Sequence, residues 1–142
     1  MKILLVCKSL PPTVIGGIQT HTWKLSEWLV RLGHEFSILT AGQWRGGITY
    51  ERREGRECIA IPYFPGRKLP FLSKLAEEWA FNRAARAWLR TNAQHFDLVH
   101  IQGRSGFTFP GLQGATPVVA TFHGLVTVEN ERSGRPGRPN WD

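Results

Sequence analysis

In the stretch "ILLVCKSLPPTVIGGIQTHTWKLSEWLVRLGHEFSILT", Ile3 to Thr40, two apolar runs flank a proline- and glycine-rich junction and a periodic segment. Ile3–Cys7 is continuously apolar and bounded by turn signals, the pattern of a strand buried on both faces of a parallel sheet. From Gly17 to Leu32, the positions Ile18, Thr22, Leu25, Leu29 and Leu32 recur at alternating steps of four and three, which predicts one face of an amphipathic helix. Gly33 supplies a C-terminal stop. "EFSILT", Glu35 to Thr40, then reads as a second strand. A strand, a helix and a strand in this order predict a right-handed crossover and a parallel sheet.

The rest of the chain extends the pattern. "GITYERRE" and "RECIAIPYF" surround Gly55 and read either as an antiparallel hairpin or as two irregular strands. A second helix is predicted from about Phe71 to Asn92, with Leu72, Leu75, Ala76, Trp79, Arg83 and Arg86 at helical spacing. "FDLVHIQ" is the next buried strand, and "TPVVATFHG" carries another at Pro117–Phe122. Between them Gly103–Gly114 is punctuated by glycine. The fold class is therefore α/β: a Rossmann-like, doubly wound, mostly parallel sheet flanked by helices. Its domain is expected over residues 1–128, and "ENERSGRPGRPNWD", residues 129–142, reads as a flexible basic tail.

Composition narrows the function. The 142 residues fit one domain, and 42% hydrophobic content is enough for a core. Lys and Arg number 18 against 11 Asp and Glu, a net charge of +7 that favours an anionic partner. No helix-turn-helix, zinc-finger or RNP-like motif accompanies that charge, so nucleic acid is not an expected partner. Cys7 and Cys58 lie in strand-like runs without CxxC or metal-ligand spacing and read as buried free thiols in a reducing compartment. The apolar run in "MKILLVC" is too short for a signal peptide or a membrane span, so the expected location is cytoplasmic, soluble or peripheral to the membrane.

In open α/β sheets ligands gather beyond the carboxyl ends of the strands, which directs attention to three edges. At the first, Gly16 and Gly17 open the helix, where outward-pointing amides and the absence of a Cβ let a phosphate or a sugar approach. The alternative is a plain turn with a glycine cap. Neither GxGxxG nor GxxxxGK[ST] is present, so neither a nicotinamide cofactor nor ATP hydrolysis is supported. At the second edge His123 and Gly124 end a strand, where the imidazole can hydrogen-bond a hydroxylated substrate. At the third, Gln102, Gly103 and Arg104 reach the same cleft, while His100 inside the strand reads as a hydrogen-bonded core residue. His21, in the first turn of the first helix, faces either the cleft or solvent. On the second helix Lys68, Lys74, Arg83, Arg86 and Arg90 interleave with Phe71, Trp79, Phe81 and Trp88, which fits either a solvated face or an anionic membrane-docking patch. No paired carboxylates for acid/base hydrolysis stand out, the acidic residues falling mostly in charged loops and on helix surfaces.

The segments "MKILLVCKSLPPTVIGGIQTHTWKLSEWLVRLGHEFSILTA", "FDLVHIQG" and "TPVVATFHG" together resemble the N-terminal, acceptor-side domain of family 4 glycosyltransferases of the GT-B fold, over Met1 to about Leu125. The resemblance implies retaining, metal-independent transfer of a sugar from a nucleotide-sugar donor to a hydroxyl acceptor, a glycan or a lipid, with no cofactor. It implies that the Gly16–Gly17 loop approaches the donor diphosphate or the acceptor, and that His123 hydrogen-bonds near the transferred sugar as the catalytic-site residue. His21 matches a recurrent polar position on the first helix of that family, and no catalytic role is assigned to it. It also implies a second, donor-binding domain, so that the 142 residues alone are expected to be a truncated half without catalysis of their own. A non-catalytic Rossmann-like binding or membrane-docking module is the alternative.

Overall fold

The computed structural model describes residues 1–65, 73–105 and 116–123. Strand β1 spans Lys2–Val6, helix α1 Gly17–Arg31, β2 Glu35–Ala41, β3 Thr49–Arg53, β4 Arg56–Ile61, helix α2 Ser73–Asn92, β5 Leu98–Gln102 and β6 Val118–Thr121. A single 3-10 turn, Ala93–His95, follows α2. Lys68, Phe71, Gly124 and the expected tail, residues 129–142, lie outside the described residues.

The six strands form one sheet in the order β3-β4-β2-β1-β5-β6. All pairings are parallel except β3 with β4. The two runs around Gly55 are thus a true hairpin, joined by Glu54 and Gly55 and attached in parallel to β2 through β4.

The continuous apolar run of β1 has a direct cause: the sheet is covered on both faces. Leu4 and Val6 point to one side, where they meet Phe81, Ala85, Trp88 and Leu89 of α2. Ile3, Leu5 and Cys7 point to the other, where Ile18, Trp23, Leu25, Leu29 and Val30 of α1 pack against them. Leu4, Leu5 and Val6 are each fully buried. Truncating Leu4 or Leu5 to alanine should cost about 2–5 kcal/mol.

Helix α1 begins and ends as its sequence dictates. At its C-terminus Gly33 takes a φ of +84°, its N–H reaches Val30 O at 3.0 Å, and the His34 N–H reaches Leu29 O at 3.1 Å. These are the paired bonds of a Schellman motif, which asks for glycine at that position. Leu32 lies in the cap and is 70% exposed, so it does not belong to the packed stripe.

Helix α2 departs from its expected face. The buried positions are Glu77, Phe81, Asn82, Ala85, Trp88 and Leu89, whereas Trp79 is 58% exposed with the Arg83 guanidinium 5.6 Å from its ring centroid. Two residues correspond to about 200° around a helix, so once Phe81 faces the sheet, Trp79 must face outward. The interleaved basic and aromatic set therefore divides: Phe81 and Trp88 are core, and Trp79 with Arg83 is surface.

Candidate functional site

The strand order defines where a ligand fits. From β1 the chain moves outward through β2 to the β3–β4 hairpin, then returns to the opposite side of β1 as β5. Between the carboxyl ends of β1 and β5 the strand order reverses, the chain going from β1 to β2 on one side and from β5 to β6 on the other, which makes this the topological switch point. A cleft of about 730 Å³ opens there. Its walls are Cys7, Lys8 and Ser9 after β1, Gly17, Ile18 and Gln19 of α1, Gln102–Ser105 after β5, Phe122 and His123 after β6, and Glu78 of α2.

The first turn of α1 is left open. Gly16 is the N-cap, with extended backbone and no side-chain capping bond, and the first turn contains no acidic residue. The leading amides of a helix have no carbonyl partner within it, and no acidic residue of this first turn neutralises the positive end of the dipole. Gly17 lines the cleft, while Gly16 serves as the cap beside it. Gln19 ties this turn to the exit of β1, its Nε2 donating to Ser9 Oγ at 2.8 Å.

The exit of β5 is equally constrained. Gly103 has φ +63°, and its N–H donates to Thr121 O at 2.8 Å. A left-handed residue here turns the chain into the cleft, a conformation that glycine adopts without steric cost. Beyond it, Asn82 of α2, almost wholly buried, donates through Nδ2 to Arg104 O at 3.1 Å. Both Gly103 and Arg104 line the cleft as expected.

A chain of side chains crosses the crevice floor. Gln102 is 1% exposed, and its Oε1 accepts a hydrogen bond from His123 Nε2. Its Nε2 lies 3.3 Å from His100 Nε2, which also faces the Thr121 hydroxyl at 2.8 Å. An amide nitrogen can only donate, so a bond from Gln102 Nε2 meets the His100 Nε2 lone pair and goes with a ring proton on Nδ1, the Thr121 hydroxyl being able to donate or accept. His123 must donate from Nε2, which assigns its lone pair to Nδ1 in the neutral ring. Burial first, then His21 and His123, holds His100 below the ordinary imidazole range. Burial and then His21 do the same for His123. His100, expected as an ordinary core histidine, is half-buried and forms one link of this network. His21 faces the cleft: its ring packs edge-on against His123, with centroids 4.8 Å apart and planes at 67°.

Sequence reasoning missed a second cluster. Lys8 Nζ lies 2.9 Å from Glu78 Oε1 and 3.3 Å from Glu77 Oε1, and the Tyr63 hydroxyl donates to Glu77 Oε1 at 2.9 Å. Glu77 has an 8% exposed side chain on the sheet-facing side of α2. Lys8 and Ser9 also line a second cavity of about 520 Å³, together with Thr40, Thr49, Tyr63 and Glu77. The available signal was position alone: Lys8 directly follows the strand that borders the switch point.

Cys7 and Cys58 are buried free thiols, and burial raises the pKa of both. Among the described residues no group of three or more His, Cys, Asp or Glu side chains could hold a metal ion. None of their helices is long and apolar enough to cross a membrane.

A mostly parallel α/β sheet covered by a helix on each face, with an imidazole–amide chain at its switch point, is a Rossmann-like fold. Residues 15–142 match Glycosyltransferase Family 4, and the chain belongs to that family. An uncharacterized glycosyltransferase of Methanocaldococcus jannaschii is 45% identical over 42 residues, 30% of this chain and 11% of that protein. The solved structure of sucrose-phosphate synthase from Thermosynechococcus elongatus superposes with a TM-score of 0.62 at 20% identity, over 92% of this chain and 35% of that one. The chain thus spans about a third of the length of that structure and about a tenth of the curated relative.

Proposed function

We propose that this chain is the acceptor-side domain of a retaining glycosyltransferase that moves a sugar from a nucleotide-sugar donor to a hydroxyl of a glycan or lipid acceptor, with a second domain supplying most of the nucleotide-sugar site. Family membership and the position of the cleft support this reading. The observation that carries it is the Gln102–His123 pair at the mouth of the crevice, where burial and then His21 favour the neutral form of the His123 ring. Among the described residues His123 Nδ1 has no hydrogen-bond partner, so it can accept a hydrogen bond from a hydroxyl of the sugar or of the acceptor.

The remaining residues take complementary parts. The first amides of α1, approached past Gly17, hold phosphate oxygens. Arg104 adds a cation at the cleft rim, and Ser9 and Gln19 offer further groups to a polyhydroxylated ligand. In this reading the donor diphosphate is held by amides and cations rather than by a metal ion. The buried free thiols are consistent with a cytoplasmic setting.

The test is transfer of labelled sugar from a panel of nucleotide sugars to hydroxyl acceptors, by the chain supplied with a donor-binding domain of the same family. Loss of activity in His123→Ala far larger than its loss of thermal stability is the expected result. Binding to acidic vesicles without any transfer would instead favour a non-catalytic docking module.

A further inference from the structure

His123 leaves the sheet on an irregular segment two residues beyond the end of β6. One hydrogen bond, from its Nε2 to Gln102 Oε1, fixes where that nitrogen sits. A single bond of this kind leaves the ring able to swivel about the bond axis, so the direction of Nδ1 is not yet determined. A second restraint is required, and the ring contact with His21 supplies it. A centroid separation of 4.8 Å at an interplanar angle of 67° lies within the favourable range for edge-to-face packing.

His21 is itself well anchored although its side chain is exposed. Two residues before it, Gln19 bonds to Ser9 Oγ at 2.8 Å. Immediately after it, Thr22 is fully buried and its hydroxyl faces Cys7 Sγ at 3.8 Å. Both neighbours tie this part of α1 to the exit of β1, so the His21 ring is presented from a rigid element.

We propose that His21 is a positioning residue of the cleft: it sets the plane of the His123 ring and thereby the direction in which Nδ1 meets the ligand. This rests on the reading of His123 as the ligand-facing group. The contact has an electrostatic side as well, because a positive charge on His21 disfavours a second one on His123. Among the described residues the other charged or titratable groups at the cleft are Cys7 and Lys8 at the exit of β1, His100 of β5, Arg104 beyond it and Glu78 of α2.

The test is side-chain NMR of the isotope-labelled chain without sugar, comparing the wild type with His21→Phe and His21→Ala across a pH titration. His21→Ala removes ring and charge; His21→Phe keeps a ring edge and removes the charge. The expected result is an upward shift of the His123 titration midpoint in both variants. His123 ring resonances should broaden in His21→Ala and be restored to wild-type sharpness in His21→Phe. An unchanged midpoint, or a phenylalanine that rescues no better than alanine, overturns the proposal. These readouts need no substrate. The expected NMR result with no sugar transfer would discard the transferase reading and keep the pair; transfer with unaltered His123 resonances would do the reverse.

Discussion

Gln102 holds His123 by accepting its Nε2–H, and it does so from a side chain that is 1% exposed. The consequence is a fixed tautomer at a group that stands at the surface, imposed by a residue that water hardly reaches. Gln102→Leu keeps the volume approximately but deletes the acceptor, so His123 loses its orientation. Sugar transfer should fall about a hundredfold, the scale of a misplaced catalytic-site group. The check is kcat against KM for the assembled enzyme, with kcat carrying the loss.

Gly17 separates backbone approach from backbone geometry. Its φ is not left-handed, and a Cβ built there meets nothing within 4 Å. Gly17→Ala should therefore leave α1 intact or stabilise it by up to about 1 kcal/mol. The same methyl group projects where the ligand is proposed to approach the amides, so activity should drop while the melting temperature holds or rises. Full activity in Gly17→Ala would remove this turn from the site. Gly16 gives a less clean result, since a Cβ there falls 2.6 Å from Gln19 Oε1 and disturbs the link to Ser9.

The two carboxylates around Lys8 should respond differently. Glu77 is the more buried, and Glu77→Ala withdraws the acceptor of the Tyr63 hydroxyl as well as one partner of Lys8. A loss of about 1–3 kcal/mol in denaturant unfolding is expected. Glu78→Gln, nearer the cleft and more exposed, should change stability little and strengthen binding of inorganic phosphate, because it removes a negative charge from the cleft wall. Phosphate titration by NMR distinguishes the two.

Acid should destabilise the fold through the imidazole chain. Both His100 and His123 are held below the ordinary imidazole value, so the unfolded chain binds protons more readily. The contribution is complete above about pH 6.5 and is lost as the pH falls from there through the lowered folded-state values. His100→Asn should flatten that part of the stability profile, read as melting temperature against pH.

Much of the scaffold was legible because periodicity and burial agree. The apolar run Ile3–Cys7 announced a doubly covered strand, and Gly33 announced the end of α1. Gly17, Gln102, Gly103, Arg104 and His123 were placed at strand exits by the same logic, and they do meet in one cleft. What the sequence hid was the rotation of α2. Its stripe mixes Glu77 and Asn82 with Phe81 and Ala85, so polarity alone puts the wrong side inward. Those two polar residues are buried because each finds a partner on another element, Lys8 and Arg104 O respectively. Likewise the edge contact of His21 with His123 joins residues distant in the chain, and no local pattern encodes it.

The exits of β1, β5 and β6 are adjacent teeth of one comb, held in register by main-chain bonds such as Gly103 N–H to Thr121 O. Neighbouring strands stand about 4.8 Å apart whatever side chains they carry. The stations occupied by Lys8, Gln102 and His123 are therefore ruled by the backbone, and replacing any of them alters what is offered to a ligand while leaving the spacing of the offers untouched.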